Sequence, residues 1–131
     1  MKIFRDIISS RSNPTVKWAT SLADKKSRNE AGAFIVEGEK LSFEALRRGL
    51  PLTHIFVRED RCEELLPLIK AYEDVDIYSD CQVILLSDTA FSKISTEKAP
   101  QGIISVIKYL DFFRKLDIIY KEDFFIPKGE R

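Results

Sequence analysis

The chain has 131 residues, enough for one domain with a sizeable core and too few for two ordinary domains. With 44% apolar and 32% charged residues its composition excludes a disordered chain, and no apolar run approaches the length of a membrane span. Lysine and arginine number 21, aspartate and glutamate also 21, so the net charge of zero excludes a nucleic-acid binder driven by bulk charge alone.

The charge is unevenly spread. Residues 1–30 hold seven basic side chains (Lys2, Arg5, Arg11, Lys17, Lys25, Lys26, Arg28) and three acidic ones (Asp6, Asp24, Glu30), a net of +4. Residues 58–80 hold three basic and eight acidic, a net of −5. A molecule with a basic end and an acidic side is expected. The start, Met1 to Asp6, has neither an extended apolar stretch nor a small-residue cleavage site, so a cytoplasmic location is the expectation.

In chain order, residues 1–12 read as a strand or short helix leading into a turn. Ser12-Asn13-Pro14 then reads as a helix start, with Asn13 as N-cap and Pro14 at the first position, where a missing N–H costs nothing. Val16, Trp18, Ala19, Leu22 and Ala23 share one broad helical face. Lys26 would fall on the apolar side, so either the helix breaks near Asp24 or this lysine reaches along the surface to solvent. Gly32 stops the segment. Ala33 to Val36 is a buried strand running into Glu37-Gly38; Glu39 to Arg48 is a helix stopped by Gly49; Thr53 to Val57 is the next strand.

Glu59 to Tyr72 reads as a helix with Pro67 as a kink or boundary, Asp76 to Tyr78 as a short edge strand, and Val83 to Leu86 as a buried strand. Ser87-Asp88 caps a short helix through Ile94, and Ile103 to Ile107 is the last strand. Strands alternating with helices predict an α/β sandwich with helices packed on a central mixed sheet. The stretch from Asp111 is apolar and aromatic, with Phe112, Phe113, Phe124 and Phe125 among others, and is expected to pack on this domain or lead toward another.

Candidates for chemistry are few. Cys62 and Cys81 stand apart without a CxxC pairing and read as reduced thiols; His54 is the single histidine; no metal site is expected from this set. There is no GxGxxG, P-loop, GxSxG or HExxH motif, and a single histidine leaves no Ser/His/Asp or Cys/His set. Glu44 lies four residues after Lys40 and three before Arg47, the spacing of a helix-surface ion pair. On chemistry alone this is a binding domain, not a catalyst.

The ordered pieces Asn13-Pro14-Thr15-Val16-Lys17, Lys25-Lys26-Ser27-Arg28, Phe34-Ile35-Val36-Glu37-Gly38, Lys40, Glu44-Ala45-Leu46 and Pro100-Gln101-Gly102-Ile103 resemble the N-terminal substrate-binding domain of the SpoU/TrmH family of RNA 2′-O-ribose methyltransferases, over about residues 7–108. The resemblance implies a three-layer α/β/α sandwich like that of ribosomal RNA-binding proteins, spanning residues 1–110, with 111–131 a linker. It also implies that a separate knotted catalytic domain, absent from this chain, binds S-adenosylmethionine, dimerises and transfers the methyl group. On that view the chain binds structured ribosomal or transfer RNA and has no catalytic residue of its own. Arg11, Lys17, Lys25, Lys26, Arg28 and Lys40 would contact phosphates, Asn13 would cap its helix or add a hydrogen bond, and Glu37, Gly38 and Glu44 would be structural. A stand-alone RNA-binding protein and a dimerisation module using Phe112 and Phe113 are the alternatives.

Overall fold

In a computed structural model, residues 1–109 are described. The expected linker 111–131 and its aromatic residues lie outside the described residues. The strands are β1 (Lys2–Ile8), β2 (Ala33–Glu37), β3 (Leu52–Arg58), β4 (Gln82–Leu86) and β5 (Ile103–Lys108). The helices are α1 (Pro14–Ser21), α2 (Lys25–Ala31), α3 (Glu39–Arg47), α4 (Cys62–Lys70) and α5 (Asp88–Ile94), with single 3-10 turns over Glu59–Arg61 and Asp76–Tyr78.

The five strands form one mixed sheet in the order β1-β4-β3-β5-β2. β1, β4 and β3 pair in parallel, and β5 pairs antiparallel with both β3 and β2. Four strands therefore share one direction, and β5 alone runs against them. The reason lies in α5. It leaves β4 at the carboxyl end of the sheet and stays there, so the chain can re-enter only in the reverse direction.

Side-chain alternation along each strand sends one set to each face of the sheet. Ile55, Val57, Val83, Leu85, Phe34 and Val36 pack with α3 and α4. Phe56, Ile84, Leu86, Ile104 and Val106 pack with α1 and α5. Both faces are covered, which gives the three-layer sandwich that the family resemblance implies. The two buried polar side chains named in the core, Ser42 on α3 and Ser105 on β5, satisfy one another across a 2.8 Å hydrogen bond. The buried Tyr78 hydroxyl donates to the Ala45 and Leu46 carbonyls at 3.4 and 3.3 Å, tying the acidic stretch to the end of α3.

Two expectations are corrected. Asp76–Tyr78 is a 3-10 turn, not an edge strand: Tyr78 is drawn into the core and β1 takes the sheet edge beside β4. The helix read over 59–72 is a 3-10 turn followed by α4, which ends at Lys70, and Pro67 lies inside α4 instead of bounding it. The opening segment is a strand of seven residues. The long first helix does break where Lys26 conflicted with the apolar face. α1 stops at Ser21, Asp24 caps α2 by accepting from the Ser27 N–H at 3.1 Å, and Lys26 is exposed.

His54, at the start of β3, sits between the rings of Trp18 (centroids 4.9 Å apart) and Phe56 (5.9 Å). Burial holds its pKa below the ordinary 6.5. The unfolded chain then takes up a proton below about pH 6.5 that the folded chain resists, so this part of the stability is complete above that pH and is lost as pH falls toward the lowered folded value. Urea midpoints measured between pH 7.5 and 5 should fall in the wild type, and fall less in His54→Gln. Identical pH profiles would contradict this. Separately, Ser42→Ala should cost about 1–3 kcal/mol by stranding the Ser105 hydroxyl, and Ser42→Ala/Ser105→Ala should cost less than the two single changes together. Additive losses would rule the coupling out.

Candidate nucleic-acid interface

The carboxyl end of the sheet is built by residues far apart in sequence. Glu37 closes β2 and turns outward; its carboxylate accepts from the Ser95 hydroxyl and, at 3.1 Å, from the Thr96 N–H. It thereby fixes the loop after α5, a partner 58 residues away in sequence. Gly38 follows with φ +99°, and a Cβ there would stand 3.0 Å from the Gln101 side-chain oxygen. That oxygen accepts the Glu39 N–H at 2.7 Å, one of the free amides at the start of α3. The following residue, Gly102, lies at φ +84°, with room only for a hydrogen: a Cβ would meet the Arg61 stem at 2.6 Å.

Arg61 completes the assembly. Its guanidinium donates to the Gln101 carbonyl at 2.6 Å and pairs with Glu39 at 3.3 Å and Glu64 at 3.0 Å. Burial opposes its charge, but the two carboxylates outweigh that and raise its pKa. Arg58 pairs with Asp60 at 2.6 Å and lies 5.6 Å over the Phe91 ring. The Arg58 hydrogen bond holds the Asp60 carboxyl below its usual range. Nothing in the sequence near Glu59–Arg61 signals that Arg61 reaches Gln101, forty residues away; only the sheet order brings β3 beside β5.

The candidate cations do not form one cluster. Arg11 is exposed in the turn after β1, and Lys40 is exposed on the first turn of α3, after β2. Both lie at the carboxyl end, but β1 and β2 are opposite edges of a five-stranded sheet, about 19 Å apart at the usual strand spacing. Lys17 is exposed on α1; Lys25 and Lys26 are exposed at the start of α2, which runs through Gly32 into the other end of β2. None of these five side chains has a hydrogen bond or ion pair among the described residues.

The other two have internal work. The Asn13 side chain caps α1, accepting from the Thr15 N–H at 2.9 Å and the Val16 N–H at 3.2 Å. Arg28 donates to the Leu22 and Ala23 carbonyls at 2.9 and 2.8 Å and closes the α1–α2 corner. Glu44 pairs with Arg47 and, at 2.9 Å, with Arg48, which together lower its pKa; its ion pairs are with these arginines and not with Lys40.

Burial pushes the Cys62 thiol up and the Cys81 thiol up to about 12, so neither supplies a thiolate near neutral pH. Among the described residues no group of three or more His, Cys, Asp or Glu could hold a metal ion, and no helix is long and apolar enough to cross a membrane. The space beside Gly38 and Gly102 is filled by the side chains of Gln101 and Arg61.

Comparison with known proteins bears on the family and the fold. Residues 13–105 match the family model of the MRM3-like substrate binding domain. The chain is 32% identical over 99 residues to the 23S rRNA (guanosine(2553)-2′-O)-methyltransferase RlmP of Bacillus subtilis, covering 76% of this chain and 36% of that protein. The AdoMet-bound rRNA methyltransferase from Sinorhizobium meliloti superposes with a TM-score of 0.65 at 23% identity over 81% of this chain and 36% of that one, a likeness of fold. An RNA 2′-O ribose methyltransferase of known structure gives a TM-score of 0.58 at 27% identity over 79% of this chain and 37% of its own. The chain thus spans a little over a third of the length of these relatives. With the family model covering most of the described residues, and with the sheet and helices those residues build, the chain belongs to the MRM3-like substrate binding domains, the N-terminal substrate-binding region found in SpoU/TrmH-type RNA methyltransferases.

Proposed function

We propose that this chain recognises structured RNA, ribosomal or transfer, for an S-adenosylmethionine-dependent 2′-O-ribose methyltransferase. The observation that carries the reading is the family match across residues 13–105. On this reading residues 1–110 are the RNA-binding unit, 111–131 lead toward a catalytic domain, and that domain holds the cofactor, forms the homodimer and supplies the catalytic groups. A cytoplasmic setting follows from such a substrate.

The residues here act by position. Arg11, Lys17, Lys25, Lys26 and Lys40 are exposed cations with no acidic partner among the described residues, so phosphate contact costs them no internal ion pair. Asn13 and Arg28 contribute indirectly. They fix the two ends of α1, on which Lys17 rides, and the corner from which α2 presents Lys25 and Lys26. Glu37, Gly38 and Glu44 hold the start and the length of α3, and with it Lys40.

Binding of an rRNA stem-loop, followed over a range of salt concentrations, tests the reading. The affinity should fall steeply with salt, and Lys25→Ala/Lys26→Ala should weaken it and reduce the slope of log K against log salt by up to about two units. An unchanged slope would remove α2 from the interface; no binding at low salt would remove the function.

A further inference from the structure

The cap of α3 comes from outside the helix. Gly38, at the N-cap position, has no side-chain oxygen to offer, and its φ of +99° reserves the position for glycine. The acceptor is the Gln101 side chain, which takes the Glu39 N–H at 2.7 Å from 62 residues away. Gln101 is held in turn through its own carbonyl, to which Arg61 donates at 2.6 Å, and Arg61 pairs with the Glu39 carboxylate at 3.3 Å. Glu39, Gln101 and Arg61 thus close a ring of three contacts. The ring joins α3, the turn before β5 and the 3-10 turn after β3. The Gln101–Glu39 bond is exposed. Water satisfies a solvent-facing amide nearly as well as a side chain does, so the N–H alone does not call for an oxygen from another element. What water does not do is fix a direction.

We infer that Gln101 is a positioning residue for RNA: acting through Lys40, it holds the first turn of α3 so that this lysine meets a phosphate. The inference rests on the RNA-binding reading above and deepens it. Lys40 directly follows the residue that the ring holds, and it is exposed. The ring serves it in two ways. It locks the turn on which Lys40 stands to the end of the sheet, and it draws the adjoining Glu39 carboxylate onto Arg61. A lysine on a fixed turn gives up less freedom on meeting a phosphate than one on a fraying turn. Without the Gln101 oxygen the start of α3 frays and the Lys40 contact weakens. Lys17, Lys25 and Lys26 ride on α1 and α2, which the ring does not touch, and keep their contacts.

The test follows binding of one rRNA stem-loop over a range of salt in the wild type, Gln101→Met, Lys40→Ala and the double variant. Gln101→Met keeps the stem of the side chain and removes the oxygen without changing any charge. Lys40→Ala should lower the slope of log K against log salt by up to about one unit. Gln101→Met should lower affinity and slope in the same direction although every cation is intact. In the Lys40→Ala background it should have no further effect, because the contact it serves is already gone. A general loss of structure would instead weaken all the cations and add to Lys40→Ala. Gln101→Met binding like the wild type, losses that add in the double variant, or an unchanged slope in Lys40→Ala each overturns the positioning role and leaves RNA binding intact. So does a Gln101→Met chain that no longer folds by urea titration, which would make the contact a structural one. Failure of the wild type to bind overturns the RNA-binding reading itself.

Discussion

The placement of α3 depends on the Gln101 side chain. β2 and α3 meet at Gly38, and the free amides at the start of α3 would point into empty space were it not for an oxygen delivered from the turn before β5. A side-chain acceptor at a helix start is worth about 0.5–2 kcal/mol. Here the same residue also fixes a loop, because Arg61 holds the Gln101 carbonyl while Glu37 holds the loop after α5. One interaction thus ties the start of α3, and with it the turn that carries Lys40, to the turn before β5. The buried Ser42–Ser105 bond repeats the tie one turn further along α3, to the strand that Gln101 introduces.

The second organising feature is the division of charge. The residue total is neutral, yet exposed cations without acidic partners lie on the first turn of α3, in the turn after β1, on α1 and at the start of α2. The acidic stretch 59–80 occupies α4 and the turns around it. A phosphate backbone approaching the molecule would be drawn toward one set of elements and repelled from the other, so on the proposed reading charge would orient an RNA even though the chain has none in excess. The arginines in the acidic stretch do not add to the attraction. Arg58 and Arg61 are consumed in ion pairs that brace the end of the sheet.

Much of the fold was legible in the chain. The β-branched runs 33–36, 53–57, 83–86 and 103–107 are strands because each is short, apolar and buried on both faces, and Asn13 and Ser87 mark helix starts because each offers an oxygen to a free amide. The break at Asp24 was visible as the conflict between Lys26 and the apolar face. Tyr78 was not legible: its neighbours read as a strand, and only the packing of its ring in the core, with its hydroxyl on the carbonyls of Ala45 and Leu46 in α3, shows what the turn there buries. The exposure of the candidate cations was legible only in part. The basic run Lys25-Lys26-Ser27-Arg28 looks like one patch in sequence, but helical geometry and the α1 carbonyls divert Arg28 inward. The partnership of Glu37, Gln101 and Arg61 could not be read at all, since it exists only once β5 lies between β2 and β3.

The central claim is that RNA meets the basic elements and avoids the acidic ones. Backbone amide hydrogen exchange, with and without an rRNA stem-loop at low salt, tests it most directly. The account predicts slower exchange over residues 9–17, at the start of α2 and over the first turn of α3, with residues 73–80 unchanged. Slowing concentrated on 73–80, or none anywhere under conditions where the complex forms, would contradict it.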